Sequence, residues 1–287
     1  MTSRRLPRHP FLDHPGPLAF AHRGGCLGGP ENSMAAFTRA VALGYRYLET
    51  DVQTTSDGVL VAFHDTRLER ATDGVGAIAS LPWRTVANAR IAGREPIPRF
   101  EELLEAFPDS RFNVDVKAPG AVRPLADAIR RTGAWDRVCV GSFSEGRLAA
   151  VRGAAGPRLA TSLGPRAVLG LRLRSLSGPV PVDRLLGAAV RRQAVCVQVP
   201  VHWPAGGGLS LVDRPFVRAA HRLGLQVHVW TVDAPEQVHA LLDLGVDGIM
   251  ADRIDILRDA LIERGAWSGP SGQPGQPGPA QGEHNRT

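Results

Sequence analysis

Four short stretches of this sequence carry side chains that can move protons, hold a cation or grip an anion. AHRGG (21–25) offers His22 and Arg23, then two glycines that let the backbone turn sharply. LETD (48–51) offers Glu49 and Asp51, spaced by two so that an extended chain points both to one face, an arrangement suited to a hard divalent cation. FHD (63–65) offers His64, and NVDVK (113–117) offers Asp115 with Lys117 two residues on. Three acids, two bases that titrate near neutrality and two fixed cations are the groups metal-assisted phosphoryl chemistry uses. A metal and the two cations would neutralise a phosphodiester, while the histidines exchanged protons with nucleophile and leaving group. Each stretch alone also fits a plainer role, as a polar strand end or an internal ion pair. Taken together, a purely structural role would leave three acids crowded without a matching counter-charge, which is costly.

Lys117 stands out for another reason. Of 34 Lys and Arg residues it is the only lysine. An ammonium is a compact point charge with three rotatable donors, whereas a guanidinium is a broad planar fork. The expectation is a small cation placed against a phosphate oxygen in a crowded site, with chance survival of one lysine as the alternative.

These residues fall on a chain that alternates short β-rich runs with amphipathic segments. Strands are predicted at 18–24, 47–54, 59–65, 111–117, 138–143, 158–163, 195–200, 226–232 and 247–252. Helices are predicted for SMAAFTRAVALG, RPLADAIRRTG, DRPFVRAAHRLG, APEQVHALLDLG and RIDILRDALIERG, each stopping at a glycine. Only TSDG separates the second and third strands, and a parallel crossover needs about a dozen residues, so that pair is an antiparallel hairpin. Setting aside its return strand leaves eight parallel strands with helices between them. Eight is the count of a closed (β/α)8 TIM barrel, here with an extra hairpin strand after the second barrel strand.

Alternation within the strands supports closure. Val114 and Val116 oppose Asn113, Asp115 and Lys117; Leu48, Thr50 and Val52 oppose Glu49 and Asp51. The four valines of VCVQVPV oppose Cys196, Gln198 and Pro200, and Val227, Val229 and Thr231 oppose His228 and Trp230. The apolar faces suit a coat of helices, and the polar faces gather at strand C-termini. An open doubly wound sheet is the competing architecture, but it would not converge so many inward polar groups.

Composition excludes several classes. The formal charge of +6 invites a nucleic-acid partner, yet the arginines are scattered, only two tyrosines accompany them, and no nucleic-acid-binding motif is present. Three widely spaced cysteines, Cys26, Cys139 and Cys196, suggest neither zinc nor a disulfide framework, and point to a reducing compartment. No secretion signal and no transmembrane segment is recognisable, so a cytoplasmic location is expected. The chain divides into an N-terminal extension (1–17), a barrel domain (18–267) and a Gly/Pro-rich tail expected to be disordered (268–287). The sequence leaves oligomeric state undetermined.

The series AHRGG, PENS, LETDVQTTSDGVLVAFHD, NVDVK, WTVD and GVDGIMAD resembles the glycerophosphodiester phosphodiesterase family from about residue 18 to 262. That resemblance implies a TIM barrel that hydrolyses glycerophosphodiesters to glycerol 3-phosphate and an alcohol with one divalent ion, Ca2+ or Mg2+, or Mn2+. It implies His22 and His64 as the acid–base pair, Glu49, Asp51 and Asp115 as metal ligands, and Arg23 and Lys117 as phosphate contacts. Trp230 would wall the site beside glycerol or leaving group, and Glu31 and Asn32 would brace it from behind, Asn32 also capping the helix that follows. Asp115 stands where many members carry Glu. The segment between His64 and Asp115 is short, which leaves room for a bulky alcohol, and His202 and Trp203 of VHWPAGG could line that side. A small-molecule glycerophosphodiester or lysophospholipid is therefore the expected partner. A lysophospholipase D-type activity at the same site and an inactive phosphodiester-binding barrel are the alternatives.

Overall fold

In the computed structural model, which describes residues 9–26, 29–177, 193–202 and 210–269, every strand expected from the sequence forms. First come β1 (Leu18–Ala21), α1 (Met34–Ala42), β2 (Tyr47–Thr54) and β3 (Leu60–Ala62). A side segment carries α2 (Trp83–Val86) and the short pair β4 (Arg90–Ile91) and β5 (Glu95–Pro96), and α3 (Phe100–Ala106) follows. Strand and helix then alternate through β6 (Arg111–Val116), α4 (Val122–Thr132), β7 (Val138–Gly141), α5 (Glu145–Ala155), β8 (Ala160–Ser162) and α6 (Pro165–Ser177). The last elements are β9 (Ala194–Pro200), α7 (Arg214–Arg222), β10 (Gln226–Trp230), α8 (Pro235–Leu244), β11 (Gly248–Ala251) and α9 (Ile254–Glu263).

The strands pair in the order β1-β11-β10-β9-β8-β7-β6-β2-β3, and β1 also pairs with β2. That last pairing, Phe20 with Tyr47 and Ala21 with Leu48, closes an eight-strand parallel barrel. β3 stands outside the ring, antiparallel to β2, because its five-residue link to β2 is too short for a crossover. A barrel of this kind has no open edge except where β3 hangs on it.

Most of the expected side-chain alternation holds. Leu48, Val52, Val114, Val116, Val197, Val199, Val227 and Val229 are buried in the cluster under the helices, with Phe37, Leu125, Phe216 and Leu257. Val195 and Thr231 depart, Thr231 lining the same cavity as Trp230. A register shift opposite Thr161 and Ser162 bulges β9, so Val195 packs against the barrel's inner cluster while the other valines face outward.

The N-terminal segment is not a mere extension. Phe11 and Leu12 are buried in that inner cluster with Leu18, Phe20, Tyr47, Cys139, Ala160, Cys196 and Met250, and Tyr47 donates its hydroxyl to the Phe11 carbonyl at 2.8 Å. The chain thus plugs the N-terminal end of its own barrel. The side segment after β3 has its own small core of Phe63, Leu68, Ile78, Val86, Ile91 and Ile97. Residues 1–8, Trp203 and the tail from 270 onward lie outside the described residues. No helix among the described residues is long and apolar enough to cross a membrane.

Candidate active site

The C-terminal end of the barrel begins with a turn that requires glycine at two positions. After β1 the backbone swings through positive φ at Arg23 (51°), Gly24 (83°) and Gly25 (84°). A side chain on Gly24 would meet Ala36 at 2.8 Å, and one on Gly25 would meet Ile254 at 2.7 Å. The turn presses against α1 and α9, and it aims the Arg23 backbone N–H at Glu49 Oε2, 3.0 Å away. His22 and Arg23 are thereby fixed over the barrel mouth.

Both histidines are held through the same ring nitrogen. His22 Nδ1 lies 2.7 Å from Asp252 Oδ1, and His64 Nδ1 lies 2.5 Å from Asp65 Oδ1. A carboxylate on Nδ1 favours the tautomer with its proton there and leaves Nε2 for proton transfer. Burial alone would lower the His22 pKa, but Glu49 and Asp252 outweigh it and raise the pKa above its ordinary value. Asp252 is itself pinned in place, since Asp233 accepts hydrogen bonds at 2.8 Å from the backbone of Asp252 and of Arg253.

The carboxylates stand on neighbouring strands in register, Glu49 beside Asn113 and Asp51 beside Asp115. Lys117 Nζ bridges two of them, 2.9 Å from Asp51 Oδ1 and 2.7 Å from Asp115 Oδ2. This is a slot for a point charge between adjacent acids, where a planar guanidinium would not seat its fork on both. The lone lysine expected against phosphate therefore rests on the acids themselves. Burial opposes its charge, yet the two acids together raise the Lys117 pKa. Asp51 is held below the usual carboxylate range: Lys117 and Arg23 overcome the upward push of burial. Burial, then the Asp51 charge, push Glu49 up to about 7.

Arg23 and the PENS element form a brace behind this row. Arg23 Nε lies 3.2 Å from Asp51 Oδ2, an ion pair not aligned as a hydrogen bond, and its Nη1 donates to Glu31 Oε1 at 3.2 Å. Asn32, buried, donates to Asp51 Oδ2 at 3.2 Å and accepts from Thr50 Oγ1 at 2.7 Å. Asn32 does not cap α1. Its φ of 54° turns it away from the helix, and Ser33 is the cap, accepting from the Ala36 N–H at 3.1 Å.

His22, Arg23, Glu49, Asp51, His64, Asp115, Lys117 and Trp230 all line one cavity of about 540 Å³. Glu31 and Asn32 stand behind its wall. His202 is not among the lining residues and pairs instead with Ser210 across a β-bridge. Two observations mark a site short of positive charge. Asp115 Oδ1 is buried without a hydrogen-bond partner, and Glu49 holds its proton to near neutrality. Hard carboxylate oxygens in that state fit a divalent ion of the Mg2+ or Ca2+ type. As the side chains stand, no three His, Cys, Asp or Glu groups among the described residues form a metal-holding cluster, and Lys117 lies between Asp51 and Asp115.

Sequence reasoning passed over several members of this site. Asp252 ends the strand GIMAD, and the rule that chemistry gathers at strand C-termini applies to it as well as to Asp51. Asp65 adjoins His64 in FHD. Arg70 gave no local signal: it pairs with Asp65 and, at 2.5 Å, with Glu31, thirty-nine positions away in sequence. Phe143 ends the predicted strand 138–143 and meets Trp230 edge-on at 5.6 Å, with Lys117 Nζ 5.6 Å from its ring centre.

Comparison with known proteins gives a consistent result. Residues 22–256 match the model of the glycerophosphoryl diester phosphodiesterase family. The chain is 43% identical over 271 residues to the Mycobacterium tuberculosis protein called "Probable glycerophosphodiester phosphodiesterase 2", covering 94% of this chain and 100% of that one. It is 29% identical to the glycerophosphodiester phosphodiesterase of Caldanaerobacter subterraneus subsp. tengcongensis, covering 86% and 98%. Two solved structures share the fold. One is the Agrobacterium tumefaciens glycerophosphodiester phosphodiesterase (TM-score 0.66, 24% identity, 84% of this chain and 99% of that one). The other is an Oleispira antarctica phosphodiesterase in complex with the product sn-glycerol-3-phosphate (TM-score 0.70, 22% identity, 86% and 97%).

Proposed function

This chain belongs to the glycerophosphoryl diester phosphodiesterase family, and on that premise we propose that it hydrolyses glycerophosphodiesters to glycerol 3-phosphate and an alcohol, with His22 and His64 as its acid–base pair. Membership makes it an enzyme of the phosphoric diester hydrolase class. The observation that carries the histidine assignment is their matched setting: each ring is tied by Nδ1 to an aspartate, and both line the one cavity that also holds Arg23 and Lys117.

Within that cavity Arg23 and Lys117 receive the phosphodiester and spread its charge. One histidine accepts a proton from the attacking hydroxyl and the other gives a proton to the departing alkoxide. Asp252 and Asp65 keep the rings in the tautomer that leaves Nε2 toward the substrate and stabilise each imidazolium as it forms. Glu31, Asn32 and Arg70 hold Arg23, Asp51 and Asp65 in place. Glu49, Asp51 and Asp115 would hold a divalent ion, Mg2+ or Ca2+, with Lys117 giving way between Asp51 and Asp115. That ion, when bound, supplies the positive charge that the non-bridging phosphate oxygens lack. Trp230 and Phe143 wall the side from which glycerol or the leaving alcohol enters.

The test is release of glycerol 3-phosphate from glycerophosphocholine and glycerophosphoethanolamine by protein stripped with chelator and then given Mg2+, Ca2+ or Mn2+. The expected result is turnover restored by at least one metal and absent in His22→Ala and His64→Ala. Turnover undiminished by chelator would remove the metal from this reading, and turnover retained in either histidine variant would remove the acid–base pair.

A further inference from the structure

The charges of the cavity are distributed unevenly around the barrel. Glu49 and Asp51 belong to β2, Asp115 and Lys117 to β6 and the residue after it, and His22 and Arg23 follow β1. In the ring, β8 stands four places from β1 in either direction. The loop after β8 therefore faces His22 and Arg23 across the full width of the mouth. Along that far arc, from β7 to β9, Arg166 is the only charged lining residue among the described residues.

The local sequence builds this position. Pro165 opens α6 with a backbone angle already suited to a helix. Glu145, the first residue of α5, accepts the Arg166 backbone N–H on its Oε1 at 2.7 Å. Gly164 makes room for that carboxylate, since a side chain there would meet Glu145 at 2.5 Å. The Arg166 backbone is thus tied down while its exposed side chain lines the mouth. The other cations of the cavity already have partners: Arg23 pairs with Glu31 and Asp51, and Lys117 with Asp51 and Asp115. Among the described residues the Arg166 guanidinium has neither an ion pair nor a hydrogen bond. Leu163, Val168 and the exposed Leu169 beside it offer no acceptor side chain.

We propose that Arg166 reads the head group: it pairs with a carboxylate on the alcohol that leaves, and so ranks glycerophosphodiesters by head-group charge. The inference rests on the phosphodiesterase reading above and adds a specificity-determining residue to it. With the phosphodiester held on the side of β1, β2 and β6, the alcohol attached to it reaches across the mouth toward β8. There a guanidinium meets a carboxylate as a fork, with two parallel N–H···O bonds. An ammonium head group meets only repulsion, because no acid among the described residues lines that arc. Arg166 takes no part in the bond changes at phosphorus. Its effect therefore falls on ground state and transition state alike, and is read in KM.

The experiment measures kcat and KM for glycerophosphoethanolamine and glycerophosphoserine, which differ by one carboxylate. It uses the intact chain with its activating metal, beside Arg166→Gln and Arg166→Lys. The expected result is a preference for the serine diester of about tenfold in kcat/KM, carried by KM, that falls to near unity in Arg166→Gln. Arg166→Lys should recover part of it, and added salt should shrink it in wild type but not in Arg166→Gln. A wild-type ratio near one, or a ratio that Arg166→Gln leaves unchanged, overturns the assignment and leaves the diesterase standing. Equal slowing of both substrates in Arg166→Gln also overturns it, and puts the guanidinium on the phosphodiester itself. If neither diester turns over with any metal, the diesterase reading fails, and calorimetric binding of the two diesters then decides Arg166 separately. A serine preference that is lost in Arg166→Gln supports it, and equal or no binding overturns it.

Discussion

The two ends of the barrel interior are built from the same strands and behave as opposites. β2 turns Tyr47 inward at the N-terminal end and then Glu49 and Asp51 at alternate positions above it. β1 and its following turn pass from Phe20 to His22, β11 and its following turn from Met250 to Asp252, and β10 from His228 to Trp230. Between the ends lies a neutral layer, where Gln198 donates to Asn113 at 2.6 Å. The lower end is closed by Phe11 and Leu12, and its buried imidazole is held neutral: burial lowers the His228 pKa to about 4. At the upper end burial acts on acids and bases together, and partners decide each charge. A strand's pleat supplies inward positions at both ends, and the residue type two steps along decides whether that position adds stability or chemistry.

That contrast can be broken from either end. The largest expected effect is at the top, where His22→Ala or His64→Ala lowers kcat/KM by on the order of 1,000-fold while the thermal midpoint stays near wild type. Glycerol 3-phosphate release and a melting curve on the same preparations check both halves of the statement. At the bottom the pattern should reverse. Phe11→Ala empties a fully buried site and is expected to cost about 3–4 kcal/mol of stability, read from denaturant unfolding, with kcat/KM at room temperature close to wild type. Loss of activity in the folded variant would mean that the two ends are coupled.

A third test uses pH. His228 has a folded-state pKa near 4 against an ordinary 6.5, so between those values the unfolded chain binds a proton that the folded chain refuses. Stability from this group is fully present above the unfolded value and is lost as pH falls toward 4, by about 1.4 kcal/mol per unit and about 3 kcal/mol in all. In His228→Leu the unfolding free energy should decline less steeply over that window, and parallel slopes would place the ring in water. The smallest expected effect sharpens the top. Asp252→Asn should reduce kcat by on the order of 100-fold, less than removal of the ring it holds. It should also move the His22 limb of the pH profile to lower pH, since Asp252 favours the charged ring. Asp252→Glu should recover part of both, and a variant that only loosened the fold would leave the limb where it was.

Much of this molecule was legible from one dimension, for identifiable reasons. The pleat has a period of two, so Glu49 with Asp51 and Asp115 with Lys117 had to share faces wherever those strands lay. So short a link could not cross over, so β3 had to stand antiparallel to β2. The glycines ending five amphipathic runs marked α1, α4, α7, α8 and α9, and the order of the HR, E-x-D and HD elements carried the family. What the sequence did not carry are relations between distant positions. Asp252 meets His22 across 230 residues, and Arg70 joins Asp65 to Glu31, because ring closure and the side segment bring those loops together. Lys117 sits between Asp51 and Asp115 because β2 and β6 are neighbours in a register no local pattern specifies. Phe11 reads as a terminal residue until the barrel closes and leaves an apolar end to fill. Backbone period and covalent reach are properties of the chain itself. The partners of a charge and the exposure of a leucine depend on which surfaces the folded chain brings together.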